Sequence, residues 1–417
     1  MHWRFLSSIS LVLGVAAGAQ AQPADQALER ARALLRAHPV IDGHNDLAWA
    51  IRHAESAPMD VAAYDLRAPT PGHTDLARLK EGFVGGQFWS VYVPGEVGDS
   101  GYARIQLEQI DIARRFIAMY PDLELALTAD DVERITREGR IASLLGMEGG
   151  HAIENSLGAL RAFHALGARY MTLTHNVTLD WADAASGPAR HGGLTPFGRE
   201  VVAEMNRLGM LVDLSHVSPA TMSDALDATA APVIFSHSSA RALTDVPRNV
   251  PDSILQRMPQ NGGVVMVTFV PSFVSQEIVD WQEQQRPALQ QQLEQRLVGV
   301  TDEAERARIT RDHWAANPSP KATVGQVADH IEHIRDVAGI DNVGIGGDYD
   351  GVDDLPIGME DVSTYPVLFA ELIGRGWSDD DLGKLSRGNI LRVMREAERV
   401  SDRLRAERQP STMSCCP

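Results

Sequence analysis

Short, continuously apolar runs alternate with helical patterns down nearly the whole chain, and that alternation restricts the fold more than any other feature. Eight runs stand out, at 40–41, 87–93, 141–147, 169–174, 211–214, 233–235, 264–269 and 342–345. Helix-like segments lie between them, at 102–119, 129–138, 157–166, 196–208, 219–228 and 323–337. Thr195 and Ser218 each place a capping hydroxyl ahead of a proline at the first helical position. Gly167 and Gly209 follow helix ends, where a left-handed residue is favoured. Runs that stay apolar on both faces and are joined through single helices belong to a parallel sheet covered by helices. Eight such units predict an α/β fold closed into a (β/α)8 barrel of the TIM type. No glycine-rich dinucleotide fingerprint follows the first run, which argues against an open doubly wound sheet.

The 417 residues are read as one such domain, 22–405, between two segments outside it. At the N-terminus, Arg4 precedes an apolar run at 5–18, and Ala19-Gln20-Ala21 forms a small-x-small cleavage site. Residues 1–21 therefore read as a signal peptide, and the protein as exported, with no membrane span left after cleavage. The run is shorter than the roughly 20 apolar residues a spanning helix needs. At the other end, 406–417 reads as a flexible tail that holds the only two cysteines, Cys415 and Cys416. Near 276–316 the short-connection pattern breaks. This stretch, rich in Gln, Glu and Arg, reads as a helical insertion that is either a lid, a subunit contact or a solvated decoration.

A formal charge of −18 repels phosphate backbones and anionic lipid, so nucleic acid is not an expected partner. The chemistry is expected where the runs end, since barrel enzymes work at the C-terminal ends of their strands. There the chain carries His44 and Asp46, Glu148, His175, His216, His237 and Asp348. Any one of them has an ordinary structural explanation. Four histidines and three acids converging on one barrel mouth do not, because burying them together is costly unless cations hold them. Two divalent ions resolve that cost. His44 and Asp46, two residues apart where a strand unwinds, can face one ion, and His216 and His237 can hold a second. Glu148, with two oxygens, is the natural bridge. Mixed imidazole and carboxylate ligation suits zinc, and ligand type also admits manganese or iron.

Some binuclear barrel hydrolases bridge their metals with a carboxylated lysine. The only lysines here, Lys80, Lys321 and Lys384, fall in helical or loop segments, so a glutamate bridge is favoured. Asp46 in place of a second histidine also separates the chain from deaminase-like barrels with one metal.

Asp42-Gly43-His44-Asn45-Asp46, Gly146-Met147-Glu148-Gly149, Leu173-Thr174-His175-Asn176, Asp213-Leu214-Ser215-His216, Phe235-Ser236-His237-Ser238, Arg248-Asn249-Val250-Pro251-Asp252 and Gly346-Gly347-Asp348-Tyr349-Asp350-Gly351 together resemble the motifs of the membrane (renal) dipeptidase family of zinc peptidases. The likeness runs in order from about Pro39 to Arg392. It implies a metal-dependent hydrolase with two zinc ions per chain, bridged by Glu148 and a water or hydroxide, with His44, Asp46, His216 and His237 completing the metal ligands. It also implies that His175 and Arg248 contact substrate and that Asp348 binds substrate and handles protons. The expected reaction is hydrolysis of free dipeptides, with tolerance for a D-residue at the C-terminal position, by a homodimer. Another amide or β-lactam-ring hydrolase on the same barrel is the alternative. The family's mammalian members carry cysteines and an apolar C-terminal tail that this chain lacks. The Arg and Ala abundance with a cleavable signal fits a bacterial member in the periplasm.

Overall fold

The computed structural model describes residues 23–97 and 101–415; the expected signal peptide, 1–21, lies outside the described residues, and the first helix begins at Pro23. Nine parallel strands form one sheet: β1 (Val40–Asn45), β2 (Val84–Ser90), β3 (Leu123–Leu125), β4 (Ile141–Glu148), β5 (Ala168–Thr172), β6 (Leu211–Asp213), β7 (Ile234–Phe235), β8 (Val264–Val267) and β9 (Val343–Ile345). Eight of them close into the expected (β/α)8 barrel. β1 pairs with both β2 and β9, β2 pairs with β4, and β4 to β9 follow in order.

β3 is the strand absent from the sequence reading. Leu123 to Leu125 pair with the first half of β4, and β5 takes over along the same edge from Leu145. Three residues, two of them only half-buried, leave too short a pattern to read. β2 also begins earlier than expected. Gly85 and Gly86 lie inside this strand, where their missing side chains make room. A Cβ at Gly85 would stand 2.6 Å from Pro39, and one at Gly86 3.1 Å from Ile41.

The core alternates across the strands with the period of two that a barrel wall requires. Ile41, Phe88, Leu144, Tyr170 and Met266 belong to one apolar cluster, inside the barrel. Their chain neighbours Val40, Trp89, Leu145, Met171 and Val265 belong to another, under the helices. The helices Tyr102–Met119, Pro196–Leu208 and Pro219–Ala228 lie where the pattern placed them. Thr195 and Ser218 accept from the Gly198 and Thr221 amides at 3.3 and 3.2 Å, and Gly209 ends its helix at φ 78°. Between β8 and the helix Val324–Ala338 the chain forms helices at Pro271–Val274, Gln276–Asp280, Arg286–Leu297 and Glu303–Ala316. The last helix runs to Glu407, beyond which the Ser411 carbonyl accepts from Arg161 at 3.0 Å.

Candidate metal centre

Parallel closure brings the C-terminal ends of all eight barrel strands to one mouth. His44 sits at the end of β1 and Asp46 just past it, and Glu148 is the last residue of β4. His175, His216, His237 and Asp348 lie two or three residues beyond β5, β6, β7 and β9. All seven come together there. Arg248, in the loop after β7, faces the same cleft.

Glu148 is at the centre, and its two oxygens face different groups. Oε2 lies 3.5 Å from His44 Nε2, which is itself 3.2 Å from Asp46 Oδ2 and 3.8 Å from Asp348 Oδ1. Oε1 lies 3.0 Å from His216 Nε2, 3.4 Å from His237 Nε2 and 3.7 Å from His175 Nε2. Three sets have donor atoms close enough to share an ion: His44, Glu148 and His237; Glu148, His175 and His216; and His44, Asp46 and Asp348. Burial alone would raise the Glu148 carboxyl, but the charge of His44 and the His216 and His237 rings against it hold it well below the usual carboxylate range. Burial, with the nearby Arg248 charge, pushes His216 well below the ordinary imidazole range, and burial beside His44 does the same to His237.

Partners behind the ligands fix which nitrogen faces inward. His44 Nδ1 meets the Tyr170 hydroxyl at 2.8 Å, and that hydroxyl donates to the Gly43 carbonyl, so Nδ1 donates outward and Nε2 is the nitrogen turned to the cluster. His237 Nδ1 meets Ser236 Oγ at 2.8 Å, and Ser236 donates to Asp213 Oδ2 at 2.7 Å. His216 Nδ1 faces Asn176 Oδ1 at 3.3 Å. His216 and His237, which burial keeps neutral and whose Nδ1 atoms are engaged behind, present bare Nε2 atoms, the form in which histidine binds metals. His44 Nε2 is buried without a hydrogen-bond partner, and His216 Nε2 and His237 Nε2 face each other at 2.9 Å. Two such lone pairs cannot satisfy one another; a cation can satisfy both, so the donor set fits divalent metal. His216 and Asp348 also sit in the left-handed region at φ 65° and 64°, backbone strain of a kind that clusters at functional sites.

Tyr170, Asn176, Asp213, Ser236 and Ser90, whose Oγ lies 3.1 Å from Glu148 Oε2, were not among the expected site residues. No spacing rule finds most of them, because Tyr170, Asn176 and Ser90 meet their partners from other strands or strand ends, far away in the chain. Asp213, Asn176 and Ser236 did lie inside the quoted motifs, which was the one available signal.

The cleft above the cluster has a volume of about 540 Å³, with Trp49, Tyr92 and Phe273 on its walls. Arg248 is 6% exposed, and burial lowers its guanidinium to about 10. It donates to Ser238 Oγ and the His237 carbonyl at 3.3 and 3.2 Å, stacks over Phe273, and makes no ion pair among the described residues. A buried cation without a carboxylate is suited to an anionic group on a ligand. Burial, together with the Asp46 and Glu148 charges, pushes the Asp348 carboxyl well above the usual range, although His44 opposes the shift.

Fold and site together define a metal-dependent hydrolase built on a (β/α)8 barrel. The family model for membrane dipeptidase, peptidase family M19, matches residues 28–408, and the chain belongs to that family of metallopeptidases. It is 42% identical to dipeptidase 3 of Rattus norvegicus over 381 residues, 90% of this chain and 68% of that protein. That relative is mammalian, so the expected bacterial source is not borne out. The fold is similar to that of the probable dipeptidase PvdM from Pseudomonas aeruginosa, with a TM-score of 0.75 at 24% identity over 90% of this chain and 99% of the other. It is likewise similar to a metallo peptidase from Rhodobacter sphaeroides, solved with a phosphinate mimic of the dipeptide L-Ala-D-Ala. The TM-score is 0.69 at 25% identity, over 86% of this chain and 99% of the other.

Proposed function

We propose that this protein cleaves free dipeptides with two zinc ions per chain and tolerates a D-residue at the C-terminal position. The observation that carries this reading is the division of labour at Glu148, with one oxygen toward His44 and Asp46 and the other toward His216 and His237. Those five residues would hold the ions. The chemistry the ions supply when bound is polarisation of the scissile carbonyl and acidification of the attacking water.

The remaining steps fall to the chain's own groups. Asp348, its carboxyl raised by burial, accepts a proton from the water and returns it to the leaving amine. His175, which burial keeps neutral, donates from Nε2 to the oxyanion as it forms. Arg248 takes the free C-terminal carboxylate with its fork of donors. Fixing that carboxylate puts the scissile bond one residue away and limits the substrate to dipeptides. The D-residue reading is supported by the L-Ala-D-Ala mimic bound to the Rhodobacter sphaeroides protein.

We also read the protein as exported after cleavage at Ala21 and as a homodimer. Among the described residues no helix is long and apolar enough to cross a membrane. N-terminal sequencing and light scattering test these two points.

The deciding experiment offers the zinc-loaded enzyme a panel of free dipeptides with an L- or D-residue at the C-terminal position, together with tripeptides and a β-lactam. Hydrolysis confined to dipeptides of both kinds supports the reading. Turnover of the lactam alone would transfer the assignment to a ring-opening hydrolase.

A further inference from the structure

We infer that Glu283, carried to the cleft by the helices between β8 and Val324–Ala338, selects dipeptides with a cationic side chain at the C-terminal position. The inference rests on the dipeptidase reading above. Val279, Gln282 and Glu283 line the same cleft as Arg248 and the metal cluster. They lie at and just beyond the end of Gln276–Asp280, where one wide turn, closed by the Arg286 amide on the Trp281 carbonyl, joins that helix to Arg286–Leu297. Such turns recur at functional sites because they re-aim side chains out of helical register.

The segment is anchored just ahead of that turn and at its first residue. The Asp245 amide, three residues before Arg248, donates to Gln276 Oε1 at 2.8 Å, and Gln326 donates to Ser275 Oγ at 3.1 Å. Ile278 and Val279 are buried, and Trp281 packs edge-on against Trp314. Glu283 is thus held at the rim by a fixed wall rather than by a free loop.

Four carboxylates line the cleft, and three of them, Asp46, Glu148 and Asp348, belong to the cluster at its floor. Glu283 is exposed and has no hydrogen-bond or ion-pair partner among the described residues. The wall it shares with Val270, Phe273 and Val279 continues from Phe273, on which the Arg248 guanidinium stacks. With the substrate carboxylate at Arg248, the side chain nearest this wall is that of the C-terminal residue. A lysine or arginine there can run its apolar stem along Val279 and Phe273 and bring its charge to Glu283.

The test compares kcat/KM of the zinc-loaded enzyme on Ala-Lys, its neutral near-isostere Ala-norleucine, Lys-Ala and Ala-Glu. Exposed pairs are weak, so Glu283→Gln should lower efficiency on Ala-Lys by roughly 3- to 10-fold and leave Ala-norleucine within about 2-fold. Glu283→Lys should move preference from Ala-Lys toward Ala-Glu, and high salt should shrink both effects. Equal changes on every dipeptide, or none, overturn the inference, and a loss confined to Lys-Ala overturns the C-terminal placement. Wild-type enzyme that cleaves none of the four overturns the dipeptidase reading itself.

Discussion

The Asp348 amide donates to the His44 carbonyl at 3.1 Å, which ties the loop after the last strand directly to the end of the first. Two residues past His44 and one past Asp348, the Asp46 amide donates to the Tyr349 carbonyl at 2.9 Å. The position of the Asp348 carboxylate over the cluster is therefore set by backbone, and its side chain is free for chemistry.

Asp348→Asn should accordingly keep fold and metal content and lose turnover. The amide cannot accept a proton, and general acid–base groups contribute typically about 100- to 10,000-fold. Circular dichroism, elemental analysis and kcat measured on the same preparation decide it. Near-normal turnover would make Asp348 a structural residue.

Removing metal should abolish activity, and elemental analysis should return two ions per active chain. Because Glu148 faces both groups of ligands, Glu148→Gln should cost more metal than His216→Ala or His237→Ala. His175 lies within reach of Glu148 and His216, and His175→Ala distinguishes its two roles. Unchanged metal with low kcat marks an oxyanion donor; loss of an ion marks a ligand.

Tyr170→Phe deletes only the hydroxyl that orients His44. Losing such a partner typically weakens metal affinity 10- to 100-fold. Competition against a chromophoric chelator measures this without reference to turnover, and an unaltered affinity would show that the hydroxyl is dispensable.

Arg248→Ala should damage hydrolysis of a free dipeptide far more than of its C-terminal amide, since the amide lacks the charge the guanidinium reads. Arg248→Lys should rescue little, because the planar fork is lost. Equal losses in kcat/KM on both substrates would remove the carboxylate-reading role.

Stability should fall as pH drops from about 6.5 toward 4. Burial lowers His330 to about 4, and its Nδ1 accepts from the Ala240 amide at 3.0 Å, a bond that protonation there would break. Below about 6.5 the unfolded chain takes up a proton that the folded chain refuses until about 4. The neutral imidazole therefore costs nothing above this window and on the order of 3 kcal/mol below it. His151 and His164, also lowered to about 4 by burial, act in the same direction. Melting temperatures taken between pH 7 and pH 4.5 should show the slope, and His330→Gln should make it shallower.

What the sequence disclosed follows from which interactions are local. The apolar runs, the proline-initiated helices and the polar residues ending each strand are written in consecutive positions, so the barrel and its mouth could be read from them. β3 could not, because Leu123 to Leu125 become a strand only by pairing with β4. The orienting partners were hidden for the same reason. Tyr170 and His44 are 126 residues apart, and nothing in either stretch names the other. The helical character of 276–316 was visible in its composition, whereas the approach of Gln282 and Glu283 to the cleft depends on how Ile278 and Val279 pack.

The closing seam between β1 and β9 carries a consequence for how the protein is made. β1 and β9 share a single ladder pair, Asp42 with Ile345, and the Asp42 carboxylate, which accepts from the Gly347 amide, reaches across 305 residues. His44 and Asp46 leave the ribosome about 300 residues before Asp348. A nascent chain can build most of the wall and still lack a complete reaction centre, so a prematurely terminated product should be inert rather than partly active.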